Sequence, residues 1–170
     1  HVHLDMLHCA MEKFSADPAV KGREVLPIME ITMRNLLSED QKVDRRDFLA
    51  RADLLAACGM TVLISDYFEY YRLASYLFQR TKERIGMVLG AAGLIQLFDE
   101  KYYTQLPGGI LESFGRLFKN DLKLYVYPWR DPQTGQLTTV DNLQVAPELR
   151  KLYGYLVDRD GGAPSAKSTE

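Results

Sequence analysis

The stretch that most constrains this chain spans residues 60–71, Met-Thr-Val-Leu-Ile-Ser-Asp-Tyr-Phe-Glu-Tyr-Tyr. The apolar run Val62-Leu63-Ile64 stops abruptly at Ser65-Asp66, and a polar and aromatic cluster then leads into helical spacing at Phe68, Leu73, Tyr76 and Leu77. A short apolar run of this kind is the pattern of a strand buried on both faces, as in parallel sheets. A strand that hands over directly to a helix also places polar groups at its carboxyl end, where open α/β sheets bind ligands.

The same alternation continues on both sides. Phe48, Leu49, Ala52, Leu55 and Ala56 recur at helical spacing, with Asp44 as N-cap and Gly59 as the closing residue, which predicts a helix over 44–58. Strand 60–65, helix 68–80 and strand 85–90 follow. A helix face at Leu94, Ile95, Leu97 and Phe98 runs to Tyr102-Tyr103, and Pro107-Gly108-Gly109 breaks the chain. A helix over 109–118 comes next, then a strand over 122–127. In that strand Leu122, Leu124 and Val126 share one face, and Lys123, Tyr125 and Tyr127 share a wetter one, as expected near a sheet edge. Asp131-Pro132-Gln133-Thr134-Gly135 reads as a loop, and Pro147 opens a last helix over 147–157. Upstream, His1 to Met6 alternates like a short strand, Leu7 to Phe14 reads as a helix, and residues 25–33 read as a strand. Strands alternating with helices predict an α/β fold, a Rossmann-like, mostly parallel sheet flanked by helices in a single domain over residues 1–157. Residues 158–170 read as a flexible polar tail.

Bulk properties narrow the function classes. The 170 residues are 46% hydrophobic and 26% charged, with a formal net charge of −2, which is globular composition and gives no sign of a nucleic-acid partner. No apolar run approaches the ~20 residues of a membrane span. Cys9 and Cys58 lie in apolar helical patterns and read as buried thiols, which places the chain in the reducing cytoplasm. The first residue is His1 rather than Met, so the expectation is the C-terminal portion of a longer protein.

Four constellations offer chemistry. Ser65, Asp66 and Glu69 stand at the end of the central strand, where a following helix N-terminus would receive an anion; the competing reading is that they cap that helix. Gly90-Ala91-Ala92-Gly93 would let a ligand or a backbone come close, or would simply form a tight turn, and it lacks the spacing of a dinucleotide fingerprint. Arg116 and Lys119 would serve a phosphate, or would complement a helix C-terminus. His1, His3 and Asp5 would share a strand face with a metal-ligand spacing, but no second ligand cluster follows downstream, so no metal is assigned. All three histidines lie within residues 1–8, so no Ser/His/Asp triad is supported.

Several stretches resemble a known family together: His3–Leu7, Met29–Leu36, Ile64–Ala74, Phe98–Tyr103 and Gly108–Asp121. Over about residues 1–157 the chain resembles the C-terminal part of a longer bacterial protein family. Its members carry names such as TonB-dependent receptor or nicotinamide-nucleotide adenylyltransferase. The first name implies an outer-membrane barrel, whereas the pattern here is α/β alternation. The second implies a nucleotidyltransferase, whose His-X-Gly-His phosphate signature is absent from these residues, so no catalytic residue is carried over.

The sequence therefore predicts a small anionic or nucleotide-like ligand bound at strand carboxyl ends by Ser65, Asp66, Glu69, Gly90, Arg116 and Lys119, with the cofactor open. Two alternatives stand beside it. One is a non-catalytic interaction or dimerisation module, a homo-oligomer presenting Tyr125, Tyr127 and Trp129. The other is part of a nucleotidyl- or phosphoryl-transfer enzyme whose site lies partly outside these residues.

Overall fold

The computed structural model describes residues 2–32 and 45–159. It combines helices with three two-stranded sheets. Helix α1 spans Val2–Ala16, strand β1 Ile28–Thr32, helix α2 Arg45–Ala57, strand β2 Thr61–Ser65 and helix α3 Tyr70–Arg80. Strand β3 (Gly86–Gly90), helix α4 (Ala91–Leu97), a 3-10 turn at Glu100–Tyr103, helix α5 (Gly109–Leu117) and strand β4 (Lys123–Tyr127) follow. A short hairpin of β5 (Trp129–Arg130) and β6 (Leu137–Thr138) precedes helix α6 (Arg150–Arg159).

The junction at residue 60 forms where the sequence predicts it, but β2 is not buried on both faces, since among the described residues β2 pairs with β1 alone and Ile64 remains 48% exposed. Gly59 takes φ +77, the left-handed conformation in which a side chain is strained. There its N–H bonds to the Ala56 carbonyl while Met60 N–H reaches back to Leu55, so two carbonyls at the end of α2 are satisfied. The chain then enters β2, which pairs in parallel with β1 in the register Ile28↔Thr61 to Thr32↔Ser65. Strand β3 pairs in parallel with β4, from Gly86↔Lys123 to Gly90↔Tyr127. The parallel pairing follows from the helical crossovers, α2 between β1 and β2 and α4–α5 between β3 and β4.

Register decides which side chains share a face. Met87, Leu89, Leu124 and Val126 fall on one side of the β3–β4 pair, and Gly86, Val88, Gly90, Lys123, Tyr125 and Tyr127 on the other. The first side meets the main core, where Tyr71, Ala74 and Phe78 of α3 pack with Leu94 and Leu97 of α4 and Ile110, Phe114 and Leu117 of α5. Leu97, Leu117 and Leu122 are fully buried, and each contributes about 1.5–3 kcal/mol through apolar burial.

The second side is covered by α1, which corrects two expectations. Residues 2–6 are not a strand: the helix runs unbroken from Val2 to Ala16, with Asp5 in its first turn and Lys13 in its last. Charges so placed favour a helix, and Leu4, Leu7, Met11 and Phe14 sustain helical spacing over about three turns, which outweighs six residues of alternation. His3 and Asp5 therefore do not share a face, and His1 lies outside the described residues. The Lys123, Tyr125 and Tyr127 face is half-buried beneath this helix instead of being wet. Phe14 meets Tyr125 edge-on with ring centroids 6.2 Å apart.

Other boundaries move for local reasons. Helix α3 begins at Tyr70, with Glu69 as N-cap and no side-chain cap bond, so neither Ser65 nor Asp66 caps it. The loop at 131–135 is the turn of an antiparallel hairpin, unforeseen in the sequence reading. There the Asp131 carboxylate accepts from Gln133 and Thr134 N–H, which holds its pKa below the usual value, and Gly135 takes φ +71. The last helix starts with a 3-10 turn at Pro147–Leu149 and runs on to Arg159, so residues 158 and 159 belong to it and not to a tail. Asp44 and residues 160–170 lie outside the described residues. Cys58 is exposed beyond the end of α2 rather than buried, Cys9 is half-buried on α1, and both are free thiols.

Candidate functional site at the strand carboxyl ends

The carboxyl ends of β1 and β2 carry Thr32 and Ser65, side by side in register and both buried. Glu30, two residues before Thr32, falls on the same face. Ser65 Oγ donates to Glu30 Oε1 at 2.5 Å, and Thr32 Oγ1 donates to the Tyr67 carbonyl at 3.0 Å. The second bond ties the 66–69 turn to the neighbouring strand. Glu30 is exposed as a whole residue, yet partial burial of its carboxyl raises its pKa, with the Ser65 hydroxyl opposing the rise.

Tyr70, the first residue of α3, closes this group. Burial and then the Glu30 charge push its phenol up. Its hydroxyl rests on the first turn of α4: a Cβ built on Gly93 would lie 3.0 Å from Tyr70 Oη and 3.5 Å from Leu89 Cβ. The small-residue stretch Gly90-Ala91-Ala92-Gly93 thus has a use, and Gly93 is its key position. A Cβ on Gly90 would face Met6 of α1 at 3.9 Å, on the other side of the sheet.

A second group surrounds Tyr71, the next residue of α3, only 5% exposed. Arg72 Nε donates to Tyr71 Oη at 3.2 Å and lies 3.3 Å from Glu69 Oε2. These contacts, the phenol first, raise the guanidinium pKa. From α5, Arg116 places its guanidinium carbon 5.8 Å from the Tyr71 ring centre and pairs with Glu112 Oε1 at 2.5 Å. The other Glu112 oxygen accepts from Gly108 N–H at 2.9 Å, and that backbone bond is the foremost reason its pKa falls.

The six sequence-predicted residues are therefore distributed. Ser65 lies with Glu30 and Tyr70. Glu69 and Arg116 meet around Tyr71. Asp66 is exposed in the turn between them, Gly90 faces α1, and Lys119 is exposed after α5, with no ion pair among the described residues. Glu30, Thr32, Tyr70 and Tyr71 escaped the sequence reading. An acid between Met29 and Ile31 was visible, but only the β1–β2 register turns it toward Ser65. Among the described residues no group of three His, Cys, Asp or Glu is placed to hold a metal, and no helix is long and apolar enough to cross a membrane. An apolar cavity of about 50 Å³ lies under α6, lined by Leu124, Val126, Tyr153 and Leu156 among others. The chain matches no protein-family profile, no curated protein and no solved structure, so its function is argued from this geometry.

Proposed function

We propose that this chain is a Rossmann-like module that binds a small nucleotide-like ligand at the carboxyl ends of its parallel strands. One observation carries the reading: the hydrogen-bonded Glu30–Ser65 pair stands beside Tyr70 at those ends, opposite the glycine-containing first turn of α4. A carboxylate there accepts hydrogen bonds from two neighbouring hydroxyls, the arrangement a ribose offers. Helix α3 starts at the same place without a side-chain cap, and its N-terminal dipole favours a negatively charged group. Asp66 in the exposed turn completes the surround.

Differential scanning fluorimetry and calorimetry with a panel of nucleosides and nucleotides test this reading. A ligand that binds only the native state raises the melting temperature by mass action. The expected result is a rise with at least one nucleoside or nucleotide. Glu30→Gln should then weaken binding about tenfold or more, because the amide offers one acceptor where the carboxylate offers two. A panel without effect, or equal binding by the variant, overturns the proposal.

A further inference from the structure

We propose that Tyr71, Arg72 and Arg116 form an anion clamp for a phosphoryl group, built between the first turn of α3 and helix α5. This deepens the ligand reading above by naming the part of the ligand that the far side of α3 would hold. The argument is a count of donors. Tyr71 Oη accepts from Arg72 Nε, so its own O–H proton remains to be donated, and no acceptor for it exists among the described residues. Tyr71 is 5% exposed, so that proton has little access to bulk water. Arg72 spends Nε on Tyr71 and Glu69, which leaves its two terminal nitrogens. Arg116 spends Nη2 on Glu112, which leaves Nε and Nη1.

The guanidinium carbons of Arg72 and Arg116 lie 5.9 and 5.8 Å from the centre of the same ring. Two like charges held against one phenol are set there by their carboxylates: Glu69 is the N-cap residue of α3, and Glu112 is pinned by Gly108 N–H. Apart from the second Glu69 oxygen, what remains around Tyr71 is donors. A group with acceptors only, carrying several oxygens and a negative charge, matches that set, and guanidinium forks fit phosphate oxygens in particular. Glu69 and Glu112 leave the cluster neutral overall, so specificity would come from donor geometry rather than from a surplus of charge.

Adjacent residues on a helix point about 100° apart, since 3.6 residues complete a turn. Tyr70 therefore turns to Glu30 and Gly93 while Tyr71 turns to α5. One ligand lying across the first turn of α3 would meet hydroxyl-binding groups on one side and phosphoryl-binding groups on the other.

The test uses inorganic phosphate and pyrophosphate as probes, titrated calorimetrically into the whole chain at low and at moderate salt. Pyrophosphate should bind saturably, and more weakly as salt rises. Arg72→Ala and Arg116→Ala should each cost tenfold or more. Tyr71→Phe, which keeps the ring and its packing, should cost about three- to tenfold, the scale of one hydrogen bond. Arg116→Lys should recover only part of the loss. Arg80→Ala, at the other end of α3, should leave binding unchanged. The proposal fails if neither anion binds saturably, or if the Arg72→Ala/Arg116→Ala double variant binds as the parent does. If pyrophosphate fails while nucleosides still bind in a Glu30-dependent way, the clamp alone falls. Pyrophosphate binding that depends on both arginines, without any nucleoside binding, upholds the clamp and overturns the Glu30 reading.

Discussion

Replacing Gly86 with alanine tests how α1 is seated on the β3–β4 pair. A Cβ at this position would lie 3.1 and 3.3 Å from Phe14 ring carbons and 3.2 Å from a Tyr125 ring carbon. Each of these is closer than ordinary contact by a few tenths of an ångström, and the two rings are already packed edge-on against each other. Both must yield together, and neither is the free end of a flexible chain. Overpacking of this kind costs about 1–3 kcal/mol. Gly→Ala also restricts the unfolded chain, which returns about 0.4–1 kcal/mol. The balance is a net loss of about 1–2 kcal/mol, seen in urea unfolding as a lower midpoint with an unchanged slope. Phe14→Leu removes one of the two obstructing rings. In that background the Gly86→Ala penalty should shrink by at least about 0.5 kcal/mol, the signature of residues in contact. A Gly86→Ala variant as stable as the parent, or strictly additive with Phe14→Leu, would refute this seating of α1 and, with it, the half-burial of Tyr125.

Three further substitutions follow from the same structure. Because the Glu30 carboxyl has a raised pKa in the folded state, its contribution to stability is fullest below the ordinary glutamate value and is lost as pH rises through the folded value. Glu30→Gln should therefore gain on the parent between about pH 4 and pH 7 in denaturation midpoints; a constant or reversed difference contradicts the linkage. Ser113 is fully buried beside Tyr103, whose phenol is pushed up to about 12 chiefly by burial, with Ser113 opposing, and which donates to the Leu97 carbonyl. Ser113 Oγ itself has no hydrogen bond of good geometry. Ser113→Ala should thus be neutral, or stabilising by up to about 1 kcal/mol in thermal or urea unfolding; a loss beyond ~1 kcal/mol would show that its weak contact with Tyr103 is a true hydrogen bond. Leu117→Ala, at a fully buried position, should cost about 2–5 kcal/mol. Leu54→Ala, at a position 66% exposed, should stay within about 0.5 kcal/mol. Similar losses at both positions would contradict the placement of the core.

The parts of this fold legible in the sequence were those set by local physics. Met60 to Ser65 announced β2 because an apolar run was bracketed by a glycine that ends a helix and a polar pair that ends a strand. The alternation at 122–127 announced β4 for the same kind of reason. Only the first turn of the N-terminal helix is hidden in the sequence, because residues 1–6 alternate like a strand while Leu7 to Phe14 show helical spacing. The hairpin at 129–138 was missed because its strands are two residues each, too short to show a period. The candidate sites were only half legible. Ser65 and Glu69 could be chosen from their place at a strand end. Glu30 depends on the β1–β2 register, and the placing of Arg72 and Arg116 against the one Tyr71 ring depends on α3 packing against α5. Neither relation is written in local sequence.

The central claim is that a nucleotide-like ligand lies where β1 and β2 end and α3 and α4 begin. Backbone amide NMR during titration with the nucleotide that most raises the melting temperature tests it most directly. The account predicts shifts concentrated in residues 30–32, 65–72 and 90–93, saturating together with a single affinity and lost in Glu30→Gln. Shifts centred instead on the apolar cavity under α6, around Val126, Tyr153 and Leu156, or scattered without saturation, would contradict it.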